Sequence, residues 1–409
     1  MRKVLIVSHV SGFVPQFEMN NVRLLQEMGC EVHYASNFHN PSYGDDNRRL
    51  EGTGIICHQV DFVRTPYSLK NIRAYGQLRR LMEEHDFALV HCHNPMSAAL
   101  TRLAARATHT APVIYTAHGF HFYQGAPLHM WFIYGTMEWL LSFLTCEQIC
   151  INKEDYAFAK KHFHCRRVDY VPGVGIDIEK IRGTAGANEE SAEVAARYDG
   201  EGRRNPENII SSAVKRQQMH IPEDAFVIVT AGELIPRKNQ AVLLQMMKLL
   251  KKSEKIEEKR SILLICGHGE LDQELKRLAM ELGVQDRVRF LGYRDDLYDI
   301  YRASDVFAFP SLQEGMPAAL MEAMACGLPA VCSDIRGSSE LIDQGKGGYR
   351  AARKDVEEYA RYVRRIRAKT ALADTMGYYN QNKAEKYSQR HIIPRMAGIY
   401  EYWMSFHNA

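Results

Sequence analysis

Several familiar patterns are missing from this 409-residue chain. Its nine cysteines are odd in number, scattered, and contain no C-x-x-C pair, which argues against a disulfide scaffold or a zinc ribbon and for the reduced thiols of a cytosolic protein. No apolar run approaches the ~18–20 uninterrupted residues that a membrane span needs. The most apolar stretch, Met130 to Cys146, carries Glu138 in its middle. The opening MRKVLIVSHV is too short for a secretory signal and flows into a polar loop, so it reads as a first strand. Neither charge sign dominates: 52 Lys and Arg against 49 Asp and Glu leave +3, which excludes a dedicated nucleic-acid coat and predicts no nucleic-acid partner. No D-x-D stands at a strand end to hold Mg²⁺; Asp295 and Asp296 are adjacent rather than alternate.

What remains is an ordinary core-forming chain, 46% hydrophobic and 25% charged, of a length that suggests about 2.7 domains. Short apolar runs alternate with helical periodicity from the start. Lys3–His9, Glu31–Ala35, Ala88–His91, Val113–Tyr115 and Gln148–Ile151 read as strands, with a helix over Phe17–Met28 that ends at Gly29. Pro and Gly punctuate YVPGVGID, Tyr170 to Asp177, where a domain boundary is placed. Residues 182–218 have little periodicity and read as a mobile surface excursion. The alternation restarts with Ala225–Ala231, Ser261–Cys266, Val288–Leu291, Val306–Phe309 and Pro329–Ser333. The expectation is an α/β protein of two Rossmann-like, doubly wound domains facing each other across a cleft.

In such sheets ligands bind beyond the carboxyl ends of the strands. The sharpest segment there is FPSLQEGMPAALMEAMACGLPAV, Phe309 to Val331: a strand end, a loop with Glu314 and Gly315, Pro317 in a first helical turn, and a stop at Gly327 and Pro329. Glu322 falls on the helix, about 7.5 Å of rise beyond Pro317, so the two glutamates do not form a close pair. A helix N-terminus suits a diphosphate, and a carboxylate on either side suits sugar and ribose hydroxyls. Gly12 after the first strand would admit a close backbone approach of phosphate or acceptor. His91-Cys92-His93 lacks further ligands at zinc-like spacing, which favours a structural or cleft-lining role. Thirteen of the seventeen histidines precede residue 165.

The Phe309–Val331 segment, with TAGELIPRKNQ (Thr230 to Gln240) and YTAHGFHFYQGAP (Tyr115 to Pro127), resembles the signatures of glycosyltransferase family 4, retaining enzymes of the GT-B fold. The resemblance covers nearly the whole chain. It implies that Glu314 contacts the donor sugar, that Glu322 binds the nucleotide ribose, and that Gly315, Met316 and Pro317 form the loop against sugar and phosphate. Lys238 matches a lysine on the donor diphosphate. The family pattern G-R-x-x-x-x-K has its arginine where Glu233 stands, so either Glu233 turns away or Arg237 supplies the missing charge. His118 matches the T-x-H-G histidine near the transferred sugar. His121, Phe122 and Tyr123 extend that motif as in a subgroup making capsular or extracellular polysaccharide, and are assigned to the acceptor side. GHGELDQEL from Gly267 resembles a donor-side loop, and GYRDDLYDIY from Gly292 a base-holding loop in which Arg294 is the candidate.

The resemblance implies domains of 1–172 with a returning C-terminal helix at about 392–409, and 173–391. It implies retaining, metal-independent transfer of a hexose-type sugar from a nucleotide donor, a UDP-sugar, to a hydroxyl of a lipid-linked saccharide in cell-surface polysaccharide biosynthesis, with no cofactor and charge stabilisation by Lys238 and helix N–H groups. A cytoplasmic chain is expected. Peripheral association with the inner face of the plasma membrane is left open by Lys70, Arg73, Arg79 and Arg80 and by the aromatic HMWFIYGTMEWLLSF from His129. A sugar-nucleotide 2-epimerase and a non-catalytic donor-binding or scaffold subunit remain as alternatives. A nicotinamide dehydrogenase is disfavoured: Ala35-Ser36-Asn37 stands where an acidic residue would follow the second strand.

Overall fold

A computed structural model describes residues 1–42, 46–65, 67–110, 112–183, 197–199, 201–254 and 259–406. The chain divides into two compact units, Met1–Gly175 with Gln389–Ala409, and Ile176–Ser388.

The first unit holds seven strands: β1 (Arg2–Val7), β2 (Cys30–Ser36), β3 (Ile56–Gln59), β4 (Phe87–His93), β5 (Val113–Ala117), β6 (Glu147–Cys150) and β7 (Arg167–Tyr170). They form one parallel sheet in the order β3-β2-β1-β4-β5-β6-β7. Its helices are α1 (Met19–Glu27), α2 (Lys70–Glu84), α3 (Pro95–Thr108), α4 (Thr136–Ser142) and α5 (Lys153–His162). Alternation along β1 sends Val4 and Ile6 to one face, with Leu25 of α1, and Leu5 and Val7 to the other, with Leu78 of α2 and Ala98 of α3. Helices cover both faces, so the central strands are apolar throughout.

The C-terminal helix Gln389–Ser405 packs on the α1 face, burying Ile392, Met396, Ile399, Tyr400 and Trp403. At roughly 1.5–3 kcal/mol for each such side chain, this burial anchors the helix firmly to the first sheet. Trp403 Nε1–H also donates to the buried Glu147 carboxylate.

Glu138, the charge that interrupts the apolar run, is buried on α4. Arg102 Nη2 donates to it at 2.8 Å and the Tyr115 hydroxyl at 3.1 Å. A buried acid with two donors from neighbouring elements is tolerated where a lone one would not be. The opposite side of residues 128–143 is open, with Leu128, Phe132, Leu140 and Phe143 exposed. No helix among the described residues is long and apolar enough to cross a membrane.

The second unit has six parallel strands, β8 (Phe226–Ala231), β9 (Ser261–Cys266), β10 (Val288–Gly292), β11 (Val306–Phe309), β12 (Ala330–Ser333) and β13 (Gly348–Ala351), ordered β10-β9-β8-β11-β12-β13. Its main helices are α6 (Pro206–Gln218), α7 (Ala241–Ser253), α8 (Asp272–Glu281), α9 (Leu297–Arg302), α10 (Ala318–Ala325), α11 (Val356–Arg367) and α12 (Thr370–Ala384). Leu243, Leu244 and Met247 of α7 and Tyr359 and Val363 of α11 share a core with Ile228, Leu263 and Ala308 of the sheet.

The stretch 182–218 departs from its reading as an excursion. Residues 184–196 and 200 lie outside the described residues, but α6 is a 13-residue helix. Ahead of it Tyr198 is buried, and Arg197 Nη1 donates to the Ser304 carbonyl at 3.0 Å. Arg216 at the end of α6 donates to the Ala303 carbonyl at 2.8 Å and to Asp305 at 2.9 Å. Arginines capping carbonyls hold this segment in place, a device with no hydrophobic period.

Candidate functional site

In the second unit, strand order reverses between β8 and β11, which pair directly through Val306↔Ile228 and Phe307↔Val229. The loops leaving these two strands therefore start side by side. The β8 loop carries Arg237 and Lys238 in a short 3-10 turn, and the β11 loop carries Glu314. Lys238 Nζ lies 2.7 Å and Arg237 Nη1 2.9 Å from Glu314 Oε1. Arg237 also donates to the Gln313 carbonyl at 2.8 Å, and Arg336 to the Glu314 carbonyl at 3.4 Å. Burial alone would raise the Glu314 carboxyl, but Lys238 and Arg237 outweigh it and hold the group below its ordinary value. Asn239, in the left-handed region at φ 57°, donates to the carbonyls of Pro310 and Arg353 and so ties the two loops.

Glu233 is exposed; its carbonyl accepts from Gln240 Nε2 at 2.9 Å. The positive charge in this loop thus comes from Arg237 and Lys238 on one carboxylate.

Gly315, Met316 and Pro317 lead into α10, with Pro317 as the N-cap in extended conformation rather than inside the first turn. Their path is set by Gly337, at φ 80°, where an added Cβ would stand 2.4 Å from the Gly315 carbonyl oxygen. Glu322 lies on α10 and keeps different company: the Tyr298 hydroxyl donates to it at 3.4 Å, and burial pushes its carboxyl up to about 7. Gly267, after β9, admits no side chain either, since a Cβ would sit 2.0 Å from the Gly232 carbonyl oxygen. This packs the β8 and β9 loops together. Arg294, after β10, is held by two bonds to Asp296, at 2.7 and 2.6 Å.

The first unit reverses strand order between β1 and β4. His118, just past β5, meets His93 at the end of β4, Nε2 to Nδ1 at 3.1 Å. Both approach Glu18 Oε1, His118 at 3.4 Å and His93 at 3.7 Å. Glu18 ends a π-helical turn, Val14–Glu18, that follows the β1 loop, and Asn21 donates to its other oxygen at 2.6 Å. Phe13 packs edge-on to His118. Burial pushes Glu18 up to about 8 and His118 down to about 4, and holds His93 well below its ordinary value. Burial thus disfavours the charged form of all three groups. Glu18 was invisible in the sequence: PQFEMN carries no motif, and only the turn after β1 brings it under His118. Each of the three also offers a ligand-capable atom within 4.8 Å of the others, so the partners that local spacing around His91–His93 failed to reveal come from residues 18 and 118.

His91 is structural, bonded through Nδ1 to the Tyr400 hydroxyl at 2.9 Å and through Nε2 to Thr116 Oγ1 at 2.7 Å. The space at Gly12 is taken by the chain itself, because a Cβ there would meet the Ser42 carbonyl oxygen at 1.7 Å. His121 stacks on Tyr134, with centroids 4.7 Å apart. Phe122, expected on the acceptor side, is instead 2% exposed and stacked on Phe120 against Trp131 and Phe158. Aromatic packing of the α4 segment onto β5 and α5 draws its ring into the core.

Two parallel Rossmann-like units, each presenting polar groups where its strand order reverses, define the GT-B fold. Residues 19–179 match the family model described as Glycosyltransferase Family 4, and residues 211–383 match Glycosyl transferases group 1. A putative glycosyltransferase of Bacillus subtilis, EpsD, is 30% identical over 98% of this chain and 97% of its own. The UDP-Gal:alpha-D-GlcNAc-diphosphoundecaprenol alpha-1,3-galactosyltransferase of Escherichia coli is 26% identical over 79% of this chain and 76% of its own. Among solved structures, Anabaena HepE in complex with UDP and glucose superposes with a TM-score of 0.74 at 18% identity, covering 98% of this chain and 100% of that one. The lipopolysaccharide glycosyltransferase WaaG gives 0.70 at 17% identity, covering 97% and 99%. The chain belongs to glycosyltransferase family 4 and is a glycosyltransferase.

Proposed function

We propose that the protein transfers a sugar from a UDP-sugar to a hydroxyl of a lipid-linked saccharide, with retention of anomeric configuration and without a metal, in the assembly of a cell-surface polysaccharide. The observation that carries this reading is the convergence of Lys238 and Arg237 on Glu314 at the head of α10. Two cations and a helix N-terminus suit a diphosphate, and a carboxylate held ionised suits sugar hydroxyls. Glu322 would take the ribose, and Gly267 and Arg294 the nucleotide end. UDP in the HepE complex and a diphosphoundecaprenol-linked acceptor in the name of the E. coli relative support the donor and acceptor classes. His118, beside Glu18 and His93, would donate to or accept from a sugar hydroxyl, with His121 nearer the acceptor. The departing diphosphate needs no protein acid, and its own oxygen can take the acceptor proton; the protein orients the reactants and stabilises charge.

The test is incubation with UDP-, GDP- and ADP-sugars and polyprenyl-diphosphate saccharides, read by product mass. One added sugar residue is expected, lost in Glu314→Ala. An epimerised nucleotide sugar formed without acceptor would identify an epimerase. Nucleotide binding with no turnover on any acceptor would identify a scaffold subunit, and a fully active Glu314→Ala would sink the site assignment.

Contact with a membrane surface would use the exposed Leu128, Phe132 and Phe143 more than the basic helix. Arg73 pairs with Asp61 at 3.0 Å and Arg79 with Glu83 at 2.8 Å, leaving less charge to offer lipid headgroups. Co-sedimentation with anionic vesicles should fall in Leu128→Ser/Phe132→Ser more than in Arg79→Gln/Arg80→Gln; unchanged partitioning in both would remove the idea.

A further inference from the structure

A second histidine cluster lies at the edge of the first sheet. His33 on β2, His58 on edge strand β3 and His85, two residues before β4, each place a ligand-capable atom within 4.8 Å of the others. His33 and His58 lie edge to edge, their rings 3° from parallel, with His33 Nδ1 2.8 Å from His58 Nε2. The other nitrogen of His33, Nε2, lies 2.9 Å from Glu31 Oε1. A neutral His33 that donates Nε2–H to this carboxylate has a bare Nδ1 lone pair facing the cluster. This is the outer-carboxylate arrangement that orients metal-binding histidines. The cluster is placed apart from the chemistry, because His85 precedes β4 whereas His93 ends β4 and His118 follows β5.

We propose that His33, His58 and His85 bind one divalent transition-metal ion of the zinc class, with Glu31 as the outer carboxylate and water completing a tetrahedron. Imidazole nitrogens suit Zn²⁺, at about 2.0–2.1 Å each. The ion takes the place of the proton shared by His33 Nδ1 and His58 Nε2, and that proton moves to the second ring nitrogen of His58. His33 is buried while His58 and His85 are partly exposed, which gives an ion a route in. The opposing charge is Lys3, whose Nζ lies 3.4 Å from His85 Nδ1; its partly exposed, flexible stem can carry it to solvent. The ion would tie the four-residue edge strand β3 to β2 and to the start of β4. Sequence separations of 25 and 27 residues between successive ligands hide the site from any spacing motif.

Chelator-stripped protein titrated with Zn²⁺ alone, and with Co²⁺ as a spectroscopic probe, tests this. One equivalent should bind with the absorption of a tetrahedral nitrogen-rich Co²⁺ site, and Tm should rise by roughly 3 °C at 100-fold excess over Kd. His58→Ala and His85→Ala, both partly exposed positions, should each abolish that equivalent, and Glu31→Gln should weaken it about 10–100-fold. Stoichiometry unchanged in either histidine variant, or the equivalent lost in His118→Ala, which belongs to the other cluster, would overturn the assignment.

Discussion

Glu314 and Glu18 occupy comparable places in the two units, in loops leaving strands that flank a reversal of strand order, yet their environments push them in opposite directions. The second unit sets Lys238 and Arg237 on Glu314 and keeps it charged. The first unit surrounds Glu18 with neutral histidines and an amide, and its carboxyl rises to about 8. One is a site built for charge, the other a site built for neutral hydrogen bonding. A phosphate-bearing ligand suits the first kind, because its charge finds cations and a helix end already desolvated. Hydroxyl-bearing ligands suit the second, because they carry no charge to compensate.

The sharpest way to break this contrast is to remove the charge. Lys238→Ala should lower kcat by about 10³-fold, the scale of losing a preorganised electrostatic donor. His118→Ala should cost nearer tenfold, since a neutral hydrogen bond is worth less. Single-turnover rates at saturating donor would decide; a larger loss for His118 would reverse the roles assigned to the units.

Next in size is the pH dependence of stability. Glu18 has a folded value of about 8 against an ordinary value near 4.5, so the folded state holds a proton that the unfolded chain releases. Its contribution is fully present below about 4.5 and is lost as pH rises through about 8. Between pH 6.5 and 8 this should cost on the order of 2 kcal/mol in the parent protein. Glu18→Gln mimics the protonated acid and should flatten that slope, as urea melts across the range would reveal. Equal slopes in parent and variant would mean that Glu18 is ionised and that the two units do not differ.

A smaller effect is expected at Glu322, at about 7 the intermediate case. If Glu322 takes the ribose as proposed, its ionised form would accept those hydroxyls better, and the donor KM should fall as pH rises from 6 to 8. Glu322→Gln should raise KM about tenfold, remove that pH dependence and leave kcat nearly unchanged.

The central strands of both sheets were readable because they are buried on both faces and so appear as apolar runs: Ser261–Cys266 and Val306–Phe309 match residue for residue. The strands missed were β3, β7 and β13, all at sheet edges. ICHQ and RVDY are only partly covered and need no continuous apolar pattern. The site divided in the same way. Lys238 and Glu314 were legible as loop residues following strong strands, whereas Asn239, Gly337 and Arg336, which position those loops, act through backbone geometry and carbonyl contacts that leave no spacing signal. Glu18 was hidden because its partners lie 75 and 100 residues away. Phe122 was misplaced because an aromatic beside a motif looks the same whether it faces ligand or core.

The finest test concerns how the charged unit came by its second cation. Family members commonly carry arginine where this chain has Glu233, and here Arg237 reaches the same carboxylate as Lys238. If Arg237 stands in for that arginine, Arg237→Ala should raise the donor KM only about three- to fivefold, because its side chain is 40% exposed and such a charge is partly screened. Glu233→Arg alone should change little, since the position already has its positive charge. In the double variant, however, Glu233→Arg should recover most of the loss caused by Arg237→Ala, a coupling of somewhat under 1 kcal/mol. Strictly additive KM values across the four proteins would show that the two positions serve different groups, and that the charged site rests on Lys238 alone.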